Sequence, residues 1–287
     1  MRYRFIKEHG QVFPVDLQCQ VLKVARSGYY RWLGARAGAK AARDAALGAQ
    51  IQLVFDLSRS SYGSPRVQKA LGAAGVRCGR GRVARLMRER NLVGSRRRRF
   101  RVTTNSAHAL PVAGNLLARR FGPSDAVNTL WTSDITYIAT SEGWLYLAVV
   151  MDIASRRIIG WSMSERSNQK LVRDALIGAV RARRPSPGLI VHSDRGINYA
   201  WSSYRQLLAE LGMIQSMSRK ANCWDNAPME SFFHSLKAEW IAGKKLATRA
   251  LARSIVFDYI EVWYNRQRLH STLGYQSPAD YESGLAA

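Results

Sequence analysis

Cysteine is nearly absent from this 287-residue chain, and its few copies do not pair by spacing. Cys19, Cys78 and Cys223 are odd in number, far apart, and lack the C-x-x-C step of a zinc site or redox motif. A disulfide scaffold is excluded, and the three are expected to be reduced thiols of a cytoplasmic protein. Long apolar runs are missing too. No stretch reaches the ~18 uninterrupted apolar residues of a membrane span. The opening Met1-Arg-Tyr-Arg-Phe-Ile-Lys-Glu-His9 holds no apolar segment of export-signal length, so no membrane partner is expected. Acids are the third scarcity. Residues 1–120 carry 25 Lys/Arg against 5 Asp/Glu, and residues 121–287 carry 19 against 15, which together make the 44 and 20 of the chain. A net charge of +24 gathered so unevenly points to a polyanion partner, a nucleic acid, rather than to a generally soluble surface.

What is present divides accordingly. At 47% apolar residues, the chain can fill one large domain and a smaller one. Residues 1–45 read as short helices; an ordinary helical hairpin and a helix-turn-helix both fit them. Over 46–105 the pattern is sharper. A helix over 45–57 with Ile51, Leu53, Val54 and Leu57 as apolar points ends at Tyr62-Gly-Ser-Pro-Arg66, where Pro65 opens a second helix. After a Gly-containing turn a third helix spans 82–91, with Val83, Leu86 and Met87 on one face. Arg82, Arg85 and Arg88 dominate its other faces. Two helices around a turn, the second rich in arginine, suit a unit that lays a helix in the major groove of DNA, so these three are candidate DNA contacts. A solvated face is the bland alternative. Arg96, Arg97, Arg98, Arg99 and Arg101 follow as a like-charged arm suited to tracking phosphates, and 106–124 reads as a linker.

A domain boundary is placed near residue 125, and strand patterns begin at Asn128. Three runs over 131–139, 143–151 and 157–163, joined by short turns, predict consecutive antiparallel strands. A helix over 169–183 precedes the buried strand Gly188-Leu-Ile-Val191; a helix over 199–211, a strand over 213–217 and two further helices follow. The order β-β-β-α-β-α-β-α predicts a mixed five-stranded sheet with flanking helices over 125–285.

Three acids are placed for chemistry in this scheme. Asp134 ends the strand-like run from Leu130, Asp194 follows the buried strand in His192-Ser-Asp-Arg-Gly196, and Glu230 follows Asp194 after 35 intervening residues, on a helix opened by Pro228. Open α/β sheets carry their active residues at carboxyl strand ends. Three carboxylates suit two Mg²⁺ ions, roughly 3.5–4 Å apart, that clamp the attacking and leaving oxygens of a phosphodiester. At about 100° per residue, Met229, Phe232, Phe233, Leu236 and Trp240 form one stripe, whereas Glu230, His234 and Lys237 share another. Lys237 is thereby offered to a phosphate. Asp152 is expected to be structural or supporting, Asp225 an N-cap or loop organiser, and His192 structural.

Four blocks occur in order: Trp131-Thr-Ser-Asp-Ile-Thr-Tyr137, His192-Ser-Asp-Arg-Gly196, Asn222-Cys-Trp-Asp-Asn-Ala-Pro-Met-Glu-Ser-Phe-Phe233, and Tyr264-Asn-Arg-Gln-Arg-Leu-His-Ser-Thr-Leu-Gly-Tyr-Gln-Ser-Pro278. They resemble the integrase-like catalytic reading frame of insertion-sequence transposases of the IS-three family, relatives of retroviral integrases. Tyr62-Gly-Ser-Pro-Arg66 and Arg82-Val-Ala-Arg-Leu-Met87 resemble the family's helical N-terminal part, so the likeness covers nearly the whole chain. It implies a ribonuclease-H-like catalytic core preceded by a basic all-helical helix-turn-helix region. It also implies a DDE site of Asp134, Asp194 and Glu230 holding Mg²⁺ (two ions, with Mn²⁺ able to substitute), with Lys237 as its basic member. The implied reaction is cleavage at the ends of a mobile element and attack of the freed 3′-hydroxyl on target DNA. Implied partners are DNA, an upstream-frame product joined by frameshift fusion, and further copies of the chain on DNA. A hydrolytic nuclease and a catalytically silent DNA-binding protein are the competing functions.

Overall fold

The computed structural model describes residues 1–34, 37–95, 110–117, 126–219 and 223–286. Three short helices, α1 (Arg2–Glu8), α2 (Val15–Val21) and α3 (Arg26–Gly34), close around a small core of Ile6, Cys19 and Tyr29. α4 (Ala37–Leu57) follows and begins well before the apolar pattern that predicted it, because alanine-rich sequence needs no apolar face to be helical. α5 (Ser64–Ala73) opens with Pro65 in its first turn, and α6 (Arg80–Glu89) buries Val83, Leu86 and Met87 as the periodicity predicts.

The sheet consists of β1 (Leu130–Thr140), β2 (Gly143–Asp152), β3 (Ile158–Ser164), β4 (Ile190–Ser193) and β5 (Ile214–Met217), in the order β3-β2-β1-β4-β5. The first three pair antiparallel as a meander, and β4 and β5 extend β1 in parallel. β2 is buried along its last six residues, which only an interior strand covered on both faces can be. One face carries α7 (Gln169–Arg183), α8 (Ile197–Ala200) and α9 (Ser202–Glu210) over Val150, Leu176, Val191 and Tyr204. The Asn168 side chain caps α7 by accepting from the Leu171 N–H. Gly160 allows α7 to sit directly on β3, since a Cβ there would strike the Ala175 carbonyl. The helix expected over 199–211 is interrupted at Trp201, whose extended backbone (φ −63°, ψ 145°) divides α8 from α9.

The opposite face carries α10 (Ala227–Ser235) and α11 (Arg249–Phe257), each continuing into a π-helical stretch, Leu236–Ile241 and Asp258–Tyr264. The widening shows in bonds that span five residues: Ala242 N–H donates to the Lys237 carbonyl at 2.8 Å, and Asn265 N–H to that of Ile260 at 3.1 Å. α12 (Pro278–Ala286) ends the described chain. Ile51, Val67 and Leu86 of α4–α6 join Phe232, Trp240 and Tyr259 in one continuous core, so the N-terminal helices are built onto the α10–α11 side. Tyr62 hydroxyl accepts from Leu269 N–H at 2.8 Å, and Arg66 Nε donates to the Leu269 carbonyl at 2.9 Å, fastening that joint. Among the described residues no helix is long and apolar enough to cross a membrane.

Candidate active site

Register brings the two aspartates together. β1 and β4 run parallel with Ser133 level with Ser193, so Asp134 and Asp194 are the next step on neighbouring chain segments. β4 stops at Ser193, but β1 continues to Thr140 as half of the hairpin with β2. Asp134 is therefore the fifth residue of an eleven-residue strand and not its end as expected; the strand end that exposes it belongs to β4. Asp134 Oδ1 accepts from Ile135 N–H at 2.7 Å, and Asp194 Oδ1 accepts from Gly196 N–H at 2.8 Å. A Cβ on residue 196 would stand 2.8 Å from that same carboxylate oxygen, which is why glycine follows Asp194 so closely.

Glu230 reaches the pair through α10. Thr132, two residues before Asp134 and on the same strand face, donates its hydroxyl to Asn226 Oδ1 at 2.6 Å, both residues being buried. Asn226 is the N-cap of α10, one turn before Glu230, so this single bond sets the helix over the strand. Met229, Phe232, Phe233, Leu236 and Trp240 are all buried, as the rotation argument requires. Lys237 falls in the widened stretch rather than in a regular α-turn, yet its Nζ lies 4.9 Å from the Tyr137 ring centre, on β1 close to Asp134. From behind, Tyr199 of α8 holds the strand by a 3.1 Å hydroxyl bond to Ser133.

The electrostatics follow from this crowding. Burial, then the adjacent Asp194 charge and more weakly Glu230, push the Asp134 carboxyl well above the usual range, against the Ile135 N–H and Lys237. Burial also raises Glu230, and it lowers Lys237, which Asp134 counteracts. The site is short of positive charge. Among the described residues no three His, Cys, Asp or Glu side chains converge tightly enough to enclose a metal ion by themselves. Asp134 and Asp194 nevertheless offer hard oxygen donors side by side. One or two carboxylates are what Mg²⁺ ordinarily takes from a protein, with water and substrate phosphates completing its shell.

The competing acids lie elsewhere. Asp152 is fully buried and accepts from Asn128 and Ala154 N–H at 2.7 and 2.9 Å, organising the β2–β3 turn. Asp225 is a loop organiser gripped by Arg219 and Asn115, and the N-cap is its neighbour Asn226. His192 is buried between Ser216 and Ser218 hydroxyls at 2.9 and 3.2 Å, and burial pulls its pKa down to about 4, so it is a neutral structural residue. On α6, Arg82 and Arg85 both pair with Asp44, at 2.6 and 2.7 Å, while Arg88 is exposed. Arg96, Arg97, Arg98, Arg99 and Arg101 lie outside the described residues. Sequence reasoning missed Thr132, Asn226, Tyr137 and Tyr199. Thr132 had a signal, its shared strand face with Asp134; the other three depend on contacts across the chain.

An acid pair beside a parallel strand end of this mixed sheet, overlooked by a helix acid, defines the polynucleotidyl transferases built on an integrase core. Residues 124–223 match the family described as "Integrase core domain", residues 230–284 match a second family of the same description, and residues 42–100 match "HTH-like domain". The "Insertion element IS600 uncharacterized 31 kDa protein" of Shigella sonnei is 46% identical over 263 residues, 92% of this chain and 96% of that protein. "Transposase InsF for insertion sequence IS3A" of Escherichia coli (strain K12) is 42% identical over 285 residues, 99% of each. The chain belongs to the IS3 family of insertion-sequence transposases, DNA-binding enzymes of DNA transposition, and carries a helix-turn-helix-like region. Among solved structures, the HTLV-2 integrase catalytic core domain in complex with magnesium is similar at 12% identity and a TM-score of 0.41, over 56% of this chain and 97% of that one.

Proposed function

We propose that Asp134, Asp194 and Glu230 are the catalytic carboxylates of this transposase, that they hold two Mg²⁺ ions or Mn²⁺ in their place, and that Lys237 binds a phosphate beside them. The observation that supports this most directly is the level pairing of Ser133 with Ser193, which makes Asp134 and Asp194 neighbours while Glu230 adds to the charge felt by Asp134. Bound there, the metal would supply Lewis-acid stabilisation to the attacking and leaving oxygens of the phosphodiester.

The chain's own residues supply position. The Thr132–Asn226 bond and the buried stripe of α10 hold Glu230 in place, and the Gly196 N–H fixes one Asp194 oxygen. Lys237 draws a phosphate oxygen of the substrate strand toward the acids. Its ammonium rests on the Tyr137 ring, so it enters the reaction already oriented. Arg82, Arg85, Arg88 and the arm from Arg96 to Arg101 carry the DNA, over a helix-turn-helix region spanning 46–105 and separated from the core by a linker at 106–124. The enzyme acts on element ends and target DNA in the cytoplasm, at the nucleoid, as an oligomer on DNA and as a frameshift fusion with the upstream-frame product.

The test is joining of 3′-ended DNA from the element's flanks into plasmid, with Mg²⁺ or Mn²⁺, by the chain with and without the upstream frame fused. Wild type is expected to join strands, and Asp194→Asn is expected to bind DNA but join none. Equal joining by the two proteins would refute the assignment.

A further inference from the structure

A pocket of about 310 Å³ opens along α10, the helix that carries Glu230, between α5, the β2–β3 turn and the segment after Tyr264. That volume is at the lower end of small-ligand sites. Its walls carry three arginines, Arg66, Arg156 and Arg268, around one acid, Glu239. Glu239 is already committed: Arg268 grips it with two bonds of 2.6 and 2.7 Å, and Arg66 stands 3.9 Å away. Asp152, at the β2–β3 turn, acts on Arg156 as well, so three guanidiniums meet two carboxylates and the excess is one positive charge. His270, in the same wall, is held well below its ordinary range by burial and then by those three arginines, so the field inside the pocket is positive. Exposed hydroxyls at Ser231 and Thr272 line opposite sides of the mouth. Cations with hydroxyls in a concave site are the chemistry that takes a phosphate.

Position narrows the ligand. His234 lines the pocket and lies one helical turn, about 5.4 Å along the axis, beyond Glu230. One to two nucleotides of a strand cover that distance at about 3.4 Å per step. We propose that the pocket is a phosphate subsite, holding a phosphodiester of a DNA strand one or two nucleotides from the bond at the carboxylates. This rests on the catalytic reading given above. It also gives the N-terminal helices a direct part in seating the substrate, because Arg66 comes from α5 while Arg268 and His270 come from the far end of the chain.

The experiment is titration of the full chain with a fluorescent DNA duplex at several salt concentrations, using wild type, Ser231→Glu, Ser231→Gln, Thr272→Glu and Thr272→Gln. Both positions are exposed, so the fold tolerates them, and circular dichroism checks it. Each Glu variant is expected to bind about tenfold more weakly and to lower the slope of log affinity against log salt by about 0.9, one phosphate contact. Each Gln variant loses the hydroxyl without adding charge, and is expected to weaken binding by about two- to threefold with the salt slope unchanged. Glu and Gln variants that bind alike would overturn the subsite. Inorganic pyrophosphate is the second arm. If it raises the Tm of wild type but not of Ser231→Glu, while DNA affinity is the same in both, the pocket takes a free phosphate compound and the DNA assignment falls. Asp194→Asn keeps the two readings apart: joining by that variant would sink the catalytic assignment, whereas the difference in DNA affinity between the Glu and Gln variants reports on the subsite whether or not strands are joined.

Discussion

Arginine serves two purposes in two regions of this molecule. On α6, Arg82 and Arg85 share Asp44 with 40% and 42% of their side chains exposed. Around α10 and the C-terminal segment, Arg268 and Glu239 form a pair with 4% and 7% exposed, and Glu282 is held by Arg183 and Arg157 at 2.5 and 2.6 Å. Exposed pairs are screened and contribute little, so Asp44 can be exchanged for a phosphate at small cost. A buried arginine that loses its acid leaves an uncompensated charge, so it cannot be released. The basic N-terminal region keeps its cations available; the core uses its cations as fasteners.

The comparison breaks hardest at Arg268. Arg268→Ala leaves the buried Glu239 with only Arg66, 3.9 Å away, and is expected to cost about 3 kcal/mol in urea unfolding. A cost comparable to that of a surface arginine would erase the distinction. Thr132→Val comes next: without the hydroxyl, α10 is no longer tied to β1, and strand joining should fall roughly 10- to 100-fold while DNA affinity stays unchanged. Joining at the wild-type rate would show that the apolar stripe alone positions Glu230.

Glu282→Gln is expected to cost about 1–3 kcal/mol at neutral pH. Burial opposes ionisation of Glu282, but bonds from Arg183, Ser155 and Arg157 outweigh it and hold the carboxyl below its usual range. With the folded value below the unfolded one, the unfolded chain takes up the proton first as pH falls. The stabilisation is therefore complete above about pH 4.3, the unfolded value, and disappears through the folded one. The gap between wild type and Glu282→Gln should close in acid; a gap that persists there would assign the cost to packing. The smallest effect belongs to Asp44→Asn, which should leave Tm nearly unchanged and tighten DNA binding a few-fold by freeing Arg82 and Arg85. Unchanged affinity in low salt would remove these two arginines from the DNA-binding surface.

Much of the fold was legible where a period and a boundary signal coincided. α7 spans the predicted 169–183, and the Asn168 cap and an apolar face that persists to its last turn explain why both ends coincide with the pattern. The α10 stripe was legible for the same reason, and with it the face carrying Glu230. Three features were not. The first turns of α4 have no apolar period to detect. The break at Trp201 leaves the spacing of Tyr199, Tyr204 and Leu208 intact, so periodicity passes through it. The position of Asp134 within β1 depends on where β4 ends, which is a fact about pairing and not about the residues near Asp134. At the site, the acids were visible as residue types in context, whereas Tyr137 and Asn226 act through partners about a hundred positions away.

The two π-helical stretches have a consequence for how the chain can change its length. Trp240 of the first stacks on Trp263 of the second, with ring centres 5.6 Å apart and planes 20° from parallel. Each widened turn accommodates a residue that a regular α-turn would leave out. Deleting that residue from either stretch would let the turn close to a regular α-turn with the helix on both sides kept in register. The two widened turns are slack in the chain, and the stacked tryptophans are where that slack is taken up.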